Sequence, residues 1–188
     1  MANRNTQGFG LVPAGTLGST PATSGTGKYK IDAGYSTTIF QGGAVSSSAG
    51  YIVEGQGTAD NPMVGVLNGI FYNAATTLKP TFANFYKQPI TPANSEDIDA
   101  FVFDNPQQQY VVATDAAVAQ SGYLETYDMN TSAGDDITGK SSATLDIGDT
   151  SADAASFRLL RSAEDPENDE NAAFRSVVVV PNLIELQS

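Results

Sequence analysis

From Lys28 onward, apolar residues come in short runs rich in Val, Ile, Phe and Tyr, broken by Gly, Pro, Asn and Asp. Nowhere do they recur with the 3.6-residue period of a helix over a helix's length. The pattern predicts strands over 29–31, 37–40, 51–54, 63–72, 81–86, 100–103, 110–113, 123–127, 143–147, 157–161, 175–180 and 183–186. The expected fold is all-β, a β-barrel or β-sandwich.

Local chemistry sharpens three of these segments. In "DAFVFDNPQQQYVVATD" two β-branched and aromatic runs flank Asp104, Asn105 and Pro106, residues whose side-chain bonding and fixed φ favour a turn, so a hairpin is predicted. In "RSVVVVPNLIELQ" four successive valines imply a strand covered on both faces, and Pro181, lacking an N–H, should stop or bend it. "SAEDPENDENAAF", residues 162–174, carries five carboxylates, a density a dry core does not tolerate, and reads as a solvated loop. Residues 130–153, rich in Ser, Thr, Gly and Asp, read the same way except for 143–147.

The first 27 residues have a different composition. Arg4 is their only charge, no acid appears before Asp32, and Gly, Ser, Thr and Pro predominate. Ordering a residue costs about 1–2 kcal/mol of backbone entropy. Only Phe9, Leu11, Val12 and Leu17 offer large apolar groups in return, each contributing about 1.5–3 kcal/mol when fully buried. The segment is therefore expected not to order on its own, and Phe9 to Val12 is an apolar cluster for which a solvated tail has no use. The predicted organisation is an extended N-terminal arm over 1–27, docking on a partner, and a β-rich domain over 28–188.

Net charge is −12, from 21 acidic and 9 basic residues, and the stretch from Gln88 to Gly139 holds nine acids without a single Lys or Arg. Such a surface repels phosphate backbones and anionic lipid, which argues against nucleic-acid and membrane partners. With neither His nor Cys, the chain has no imidazole base, thiolate nucleophile or thiolate metal ligand. Carboxylate pairs alone do not point to an enzyme when 21 acids make a close pair almost inevitable.

Other motifs fail on spacing. "DMNTSAGDD" begins like a calcium loop with Asp128, Asn130 and Ser132, yet its sixth position is Ala133 where a glycine is needed and its twelfth is Gly139 where a bidentate Glu is needed. Gly8, Gly10, Gly15 and Gly18 lack the strand, the helix and the Gly-Lys-Ser/Thr ending of a phosphate loop. Glu164, Asp165, Glu167, Asp169 and Glu170 read as a solvated cluster, with calcium or a neighbouring subunit as alternatives. Phe82, Phe85 and Tyr86 suit a β core better than a stacking platform. No catalytic, cofactor or metal site is expected.

The order "GFGLVPAGTLGSTP", "YKIDAGYSTTIFQGGAV", "MVGVLNGIFY", "DAFVFDNPQQQYVV" and "FRLLRSAEDPENDENAAFRSVVVV" resembles structural proteins of tailed bacteriophages of the capsid decoration, or cement, type. The resemblance covers most of the chain as pattern and order, and is weakest over 122–155. It implies a non-enzymatic protein on the outer surface of the head shell that stabilises contacts between major capsid protein subunits. It further implies a homo-oligomer, with a trimer favoured, assembled in the bacterial host cytoplasm. The arm positions it carries over are Gly8, Phe9, Gly15, Thr16 and Pro21, to which the apolar pattern adds Leu11, Val12 and Leu17 as the expected capsid-binding set. Tyr29 and Asp32 fall at domain entry, and Glu164, Asp165, Pro166 and Asn168 in the late loop. The alternatives are a tail, neck or fibre component and a carbohydrate-binding module.

Overall fold

Alternating apolar and polar positions set out twelve strands among the residues that the computed structural model describes: 3, 5–18, 25–130, 134–150, 155–164, 166–169 and 171–187. They are β1 (Val12–Thr16), β2 (Gly27–Ile31), β3 (Ala44–Ser48), β4 (Tyr51–Glu54), β5 (Gly65–Asn73), β6 (Pro80–Ala83), β7 (Ile98–Phe103), β8 (Gln108–Ala113), β9 (Thr126–Asn130), β10 (Thr144–Thr150), β11 (Phe157–Ser162) and β12 (Ser176–Pro181). All pairings between them are antiparallel, in a β-sandwich-like fold. The first sheet runs β1-β8-β12-β11-β9-β10. The second runs β2-β7-β5-β3-β4, with β6 paired to the far end of β5.

The predicted all-valine strand is β12, central in the first sheet between β8 and β11, with residues 176–180 buried. Pro181 is its last residue, where a missing N–H does no harm. Two predicted strands are not there. Ile39 only bridges Tyr86, through reciprocal backbone bonds of 2.9 Å, and Ile184 only bridges Met63. Two strands were not foreseen, β1 and β3. Three of the five β3 residues are serine, yet Ala44, Val45 and Ser46 are buried, and the Ser46 hydroxyl donates to Asn61 Oδ1 at 2.7 Å.

The Asp104–Pro106 turn forms, held by Gln107 N–H donating to Asn105 Oδ1 at 2.9 Å and Gln108 N–H to Asn105 O at 3.0 Å. The hairpin expected around it does not. β7 pairs with β2 and β5 in the second sheet, while β8 pairs with β1 and β12 in the first, so this turn carries the chain between layers. Turn preference is local, whereas strand partners are set by which neighbours complete each ladder.

Residues of successive parity along the second sheet serve two cores. Ala44, Val66 and Phe103 face the first sheet and pack with Tyr110, Val112, Tyr127, Phe157, Leu159, Val177 and Val179. Val45, Leu67, Ile70, Ile98, Ala100 and Val102 face the other way, where Ile39, Tyr86 and Tyr35 from the connecting segments close over them.

Candidate functional site

The segment expected to be an arm lies against its own domain. Leu11 is 1% exposed and belongs to the core between the sheets. Its amide donates to Gly42 O at 2.8 Å, and the Gly10 amide to Ala143 O at 3.2 Å. β1 then runs along β8, with Val12 opposite Val111 and Thr16 opposite Gln108, a bulge between Pro13 and Gly15, and the Gln108 side-chain amide donating to Gly15 O at 2.7 Å. The Leu17 amide continues the ladder to Gln107 O at 2.9 Å. Upstream, Asn3 is buried, donates to Ala173 O at 2.8 Å and accepts from the Asp169 amide, while Asn5 donates to Ser176 Oγ at 3.1 Å.

This corrects the division at residue 27 for residues 3 and 5–18, and it separates the expected capsid-binding set. Gly8 and Leu11 are buried; Phe9, Gly15 and Thr16 are half-buried; Val12 (46%) and Leu17 (37%) are exposed; and Pro21 lies outside the described residues. Two contributions beyond apolar side chains order the segment. A strand added to a sheet satisfies its own amides, and a glycine allows backbone to lie flush on backbone. At Gly8 a Cβ would stand 2.0 Å from Ser142 O, so only glycine fits there. At Gly10, φ is +72°, a conformation glycine adopts without strain.

The surface feature least expected from sequence is on the second sheet. Direct cross-strand partners share a face. Phe82 (β6) stands opposite Phe71 (β5), Phe71 opposite Asp99 (β7) and Asp99 opposite Lys30 (β2), while Phe101 stands opposite both Gly69 and Lys28. Phe103, two residues beyond Phe101, sits on the same face but is covered by the first sheet. The face is thus roofed at one end and open at the other. At the open end Phe82 is 73% exposed and packs on Phe71 with ring centroids 4.7 Å apart.

A buried carboxylate closes the polar side of this face. Asp99, 8% exposed, bridges Lys28 at 2.7 Å and Lys30 at 2.6 Å. Burial works to raise its pKa, but hydrogen bonds from Lys28 and Lys30 outweigh burial and leave it below the ordinary carboxylate value. The hydrogen bond to Asp99 in turn raises Lys30.

The remaining candidates are structural. Asn168 staples the late acidic loop, donating to Ser176 O at 2.8 Å and accepting from the Ser176 amide at 2.9 Å, while Glu164, Pro166 and Glu167 stay exposed. Asp165 lies outside the described residues, as do Glu170 and Ser132. Asp128 accepts from the Ser156 amide at 2.9 Å, and among the described residues no three carboxylates gather as a metal site. Tyr86 is buried and donates to Tyr35 O, and Phe85 stacks on Phe40 at 5.8 Å, so of the three aromatics singled out only Phe82 faces solvent. A groove of about 360 Å³ beside the N-terminal segment is lined by Phe9, Leu11, Val12, Leu67, Phe103 and Lys140, among others. Compared with known proteins, the chain matches no family model, no curated protein and no solved structure.

Proposed function

We propose that the chain is a non-enzymatic structural protein of the tailed-phage capsid decoration type, seated on the outer surface of the head shell and stabilising contacts between major capsid protein subunits. The observation that carries this reading is the segregation of charge over a two-sheet body. Fourteen of the 21 acids follow residue 104, whereas residues 61–95 hold none. A body whose acids are concentrated in the portion after residue 104 suits a shell exterior, because a strongly acidic patch turned inward would repel the packaged genome.

The mechanism is mechanical. Each bound body adds buried area across a seam, so rupture breaks more contacts at once. With residues 3 and 5–18 folded onto the body, binding draws on the rigid surface together with the exposed Val12 and Leu17, and in an oligomer several such surfaces linked in one body multiply modest individual affinities.

Quantifying the chain against the major capsid protein in purified particles tests the reading. A copy number comparable with that of the shell subunit, and lower heat resistance in shells that lack the chain, are expected. A few copies at a single vertex would move it to the tail, neck or fibre class, and absence from particles would overturn the assignment.

A further inference from the structure

The open end of the second sheet carries a recess beside its exposed phenylalanine. Phe71, Asp99 and Lys30, which stand opposite one another across β5, β7 and β2, line it. Glu96 and Asp97, on the segment that enters β7, and Asn73, the last residue of β5, complete a cleft of about 270 Å³. Phe82, 73% exposed, packs on Phe71 with ring centroids 4.7 Å apart, so an aromatic surface borders the polar lining. The polar wall is held in place. The Ala75 amide donates to Thr91 O and the Glu96 amide to Ala93 O, both at 3.1 Å, and the Tyr51 hydroxyl donates to Asp97 Oδ2 at 3.2 Å.

The lining selects a class of ligand by elimination. Three carboxylates against Lys30 and Lys28 disfavour phosphate, sulfate and carboxylate groups. Lys30, bonded to Asp99 at 2.6 Å and facing the charges of Asp97 and Glu96, already stands where a ligand cation would sit. A wholly apolar ligand would strip water from these polar side chains and return no hydrogen bond. What fits is a neutral ligand whose groups donate and accept at once. A sugar hydroxyl does both, donating to Glu96 or Asp97 and accepting from the Asn73 amide or Lys30. Neither Asn73 nor Glu96 makes a side-chain hydrogen bond among the described residues, so both are available to it. The C–H face of the same sugar ring covers an aromatic ring without leaving a polar group unpaired.

We propose that this recess binds a neutral saccharide, with Phe71 and Phe82 as its aromatic side and Asn73, Glu96, Asp97 and Lys30 as its polar contacts. The cleft lies just below the roughly 300–1,000 Å³ of clefts for drug-sized ligands, which suits a short saccharide. Phe82 stands in solvent beside it, so a longer glycan can leave the recess across that ring. This binding activity is separate from the structural role proposed above and does not depend on it.

The test probes an array of immobilised neutral, acidic and amino-bearing oligosaccharides with the full chain, then titrates the best-bound saccharide into isotope-labelled protein. Binding confined to neutral saccharides is expected, with amide shifts at residues 71–73 and 96–99. Asn73→Ala and Glu96→Ala should each weaken it at least about tenfold, and thermal melting checks that both variants fold. The wild-type shifts locate the site even where a variant does not fold. Preference for acidic or amino-bearing saccharides would overturn the ligand class. Shifts confined to other parts of the chain, or affinity unchanged in both variants, would overturn the site. A chain that binds no saccharide on the array would overturn the proposal outright. Copy number in particles reads the proposed function separately, so failure of either leaves the other legible.

Discussion

The N-terminal segment and the β5–β6 hairpin place their apolar residues in opposite ways. The segment is poor in them, yet Leu11 is sealed in the core and β1 is sheet edge. The hairpin is rich in them, yet Phe82 and Leu78 stand in solvent. Apolar content therefore did not decide which region is folded in. What decided it was access to a partner: β8 offers β1 a free edge and the inter-sheet core offers Leu11 a place, whereas the first sheet stops short of Phe101, Phe71 and Phe82.

The largest test of this contrast is removal of residues 1–18. As an independent arm they would be dispensable, but as observed their loss uncovers the β8 edge and empties the Leu11 site. A stability loss of about 4 kcal/mol or more is expected in urea unfolding. Leu11→Ala and Val12→Ala sharpen it at adjacent positions. The first should cost about 2–4 kcal/mol and the second less than about 0.5 kcal/mol, because only Leu11 leaves a cavity.

Next come two glycines of the same segment. Gly8→Ala should cost about 1–3 kcal/mol by driving a Cβ into the Ser142 carbonyl. Gly15→Ala, with open space around its Cβ, should stay within about 0.5 kcal/mol. Comparable losses at the two would mean that the segment does not lie as described.

On the hairpin side, Asp99→Asn should cost about 1 kcal/mol at neutral pH, a figure kept small because both lysines are largely exposed. The Asp99 carboxylate has a lowered folded-state pKa, so its contribution is present above the ordinary value near about 3.9 and disappears as pH falls through the folded value. Lys30 works in the opposite direction: its pKa is raised, and its share is lost as pH rises through the folded value. A urea series against pH should therefore show the wild type and Asp99→Asn converging at acid pH. Phe82→Ser should cost about 0.5–1 kcal/mol by thermal melting, since the ring is 73% exposed and loses mainly its contact with Phe71.

Much of the fold was legible along the chain. β4 was predicted at its observed bounds, and the valine run proved a central strand ended by Pro181, because β-branched density and a missing amide act locally. The departures share one cause. Residues 37–40 and 183–186 have strand-like side chains without a ladder to join, β1 and β3 have loop-like residues with a ladder at hand, and the Asp104–Pro106 turn joins strands of different sheets. On the half-open face of the second sheet, the pattern around Phe82 suits a core residue, and the lysines and Asp99 beside it give no linear signal. Their proximity arises from register across four strands.

The sequence by itself determined that this chain is β-rich, strongly acidic and built without imidazole or thiol chemistry, because these follow from residue type and short-range pattern. Only the tertiary structure decided that residues 3 and 5–18 belong to the body, that β7 and β8 part company, and that four phenylalanines share a half-roofed face. Each of these depends on which backbone edge is left unsatisfied once all other strands have paired, and unsatisfied edges exist only in the assembled sheets.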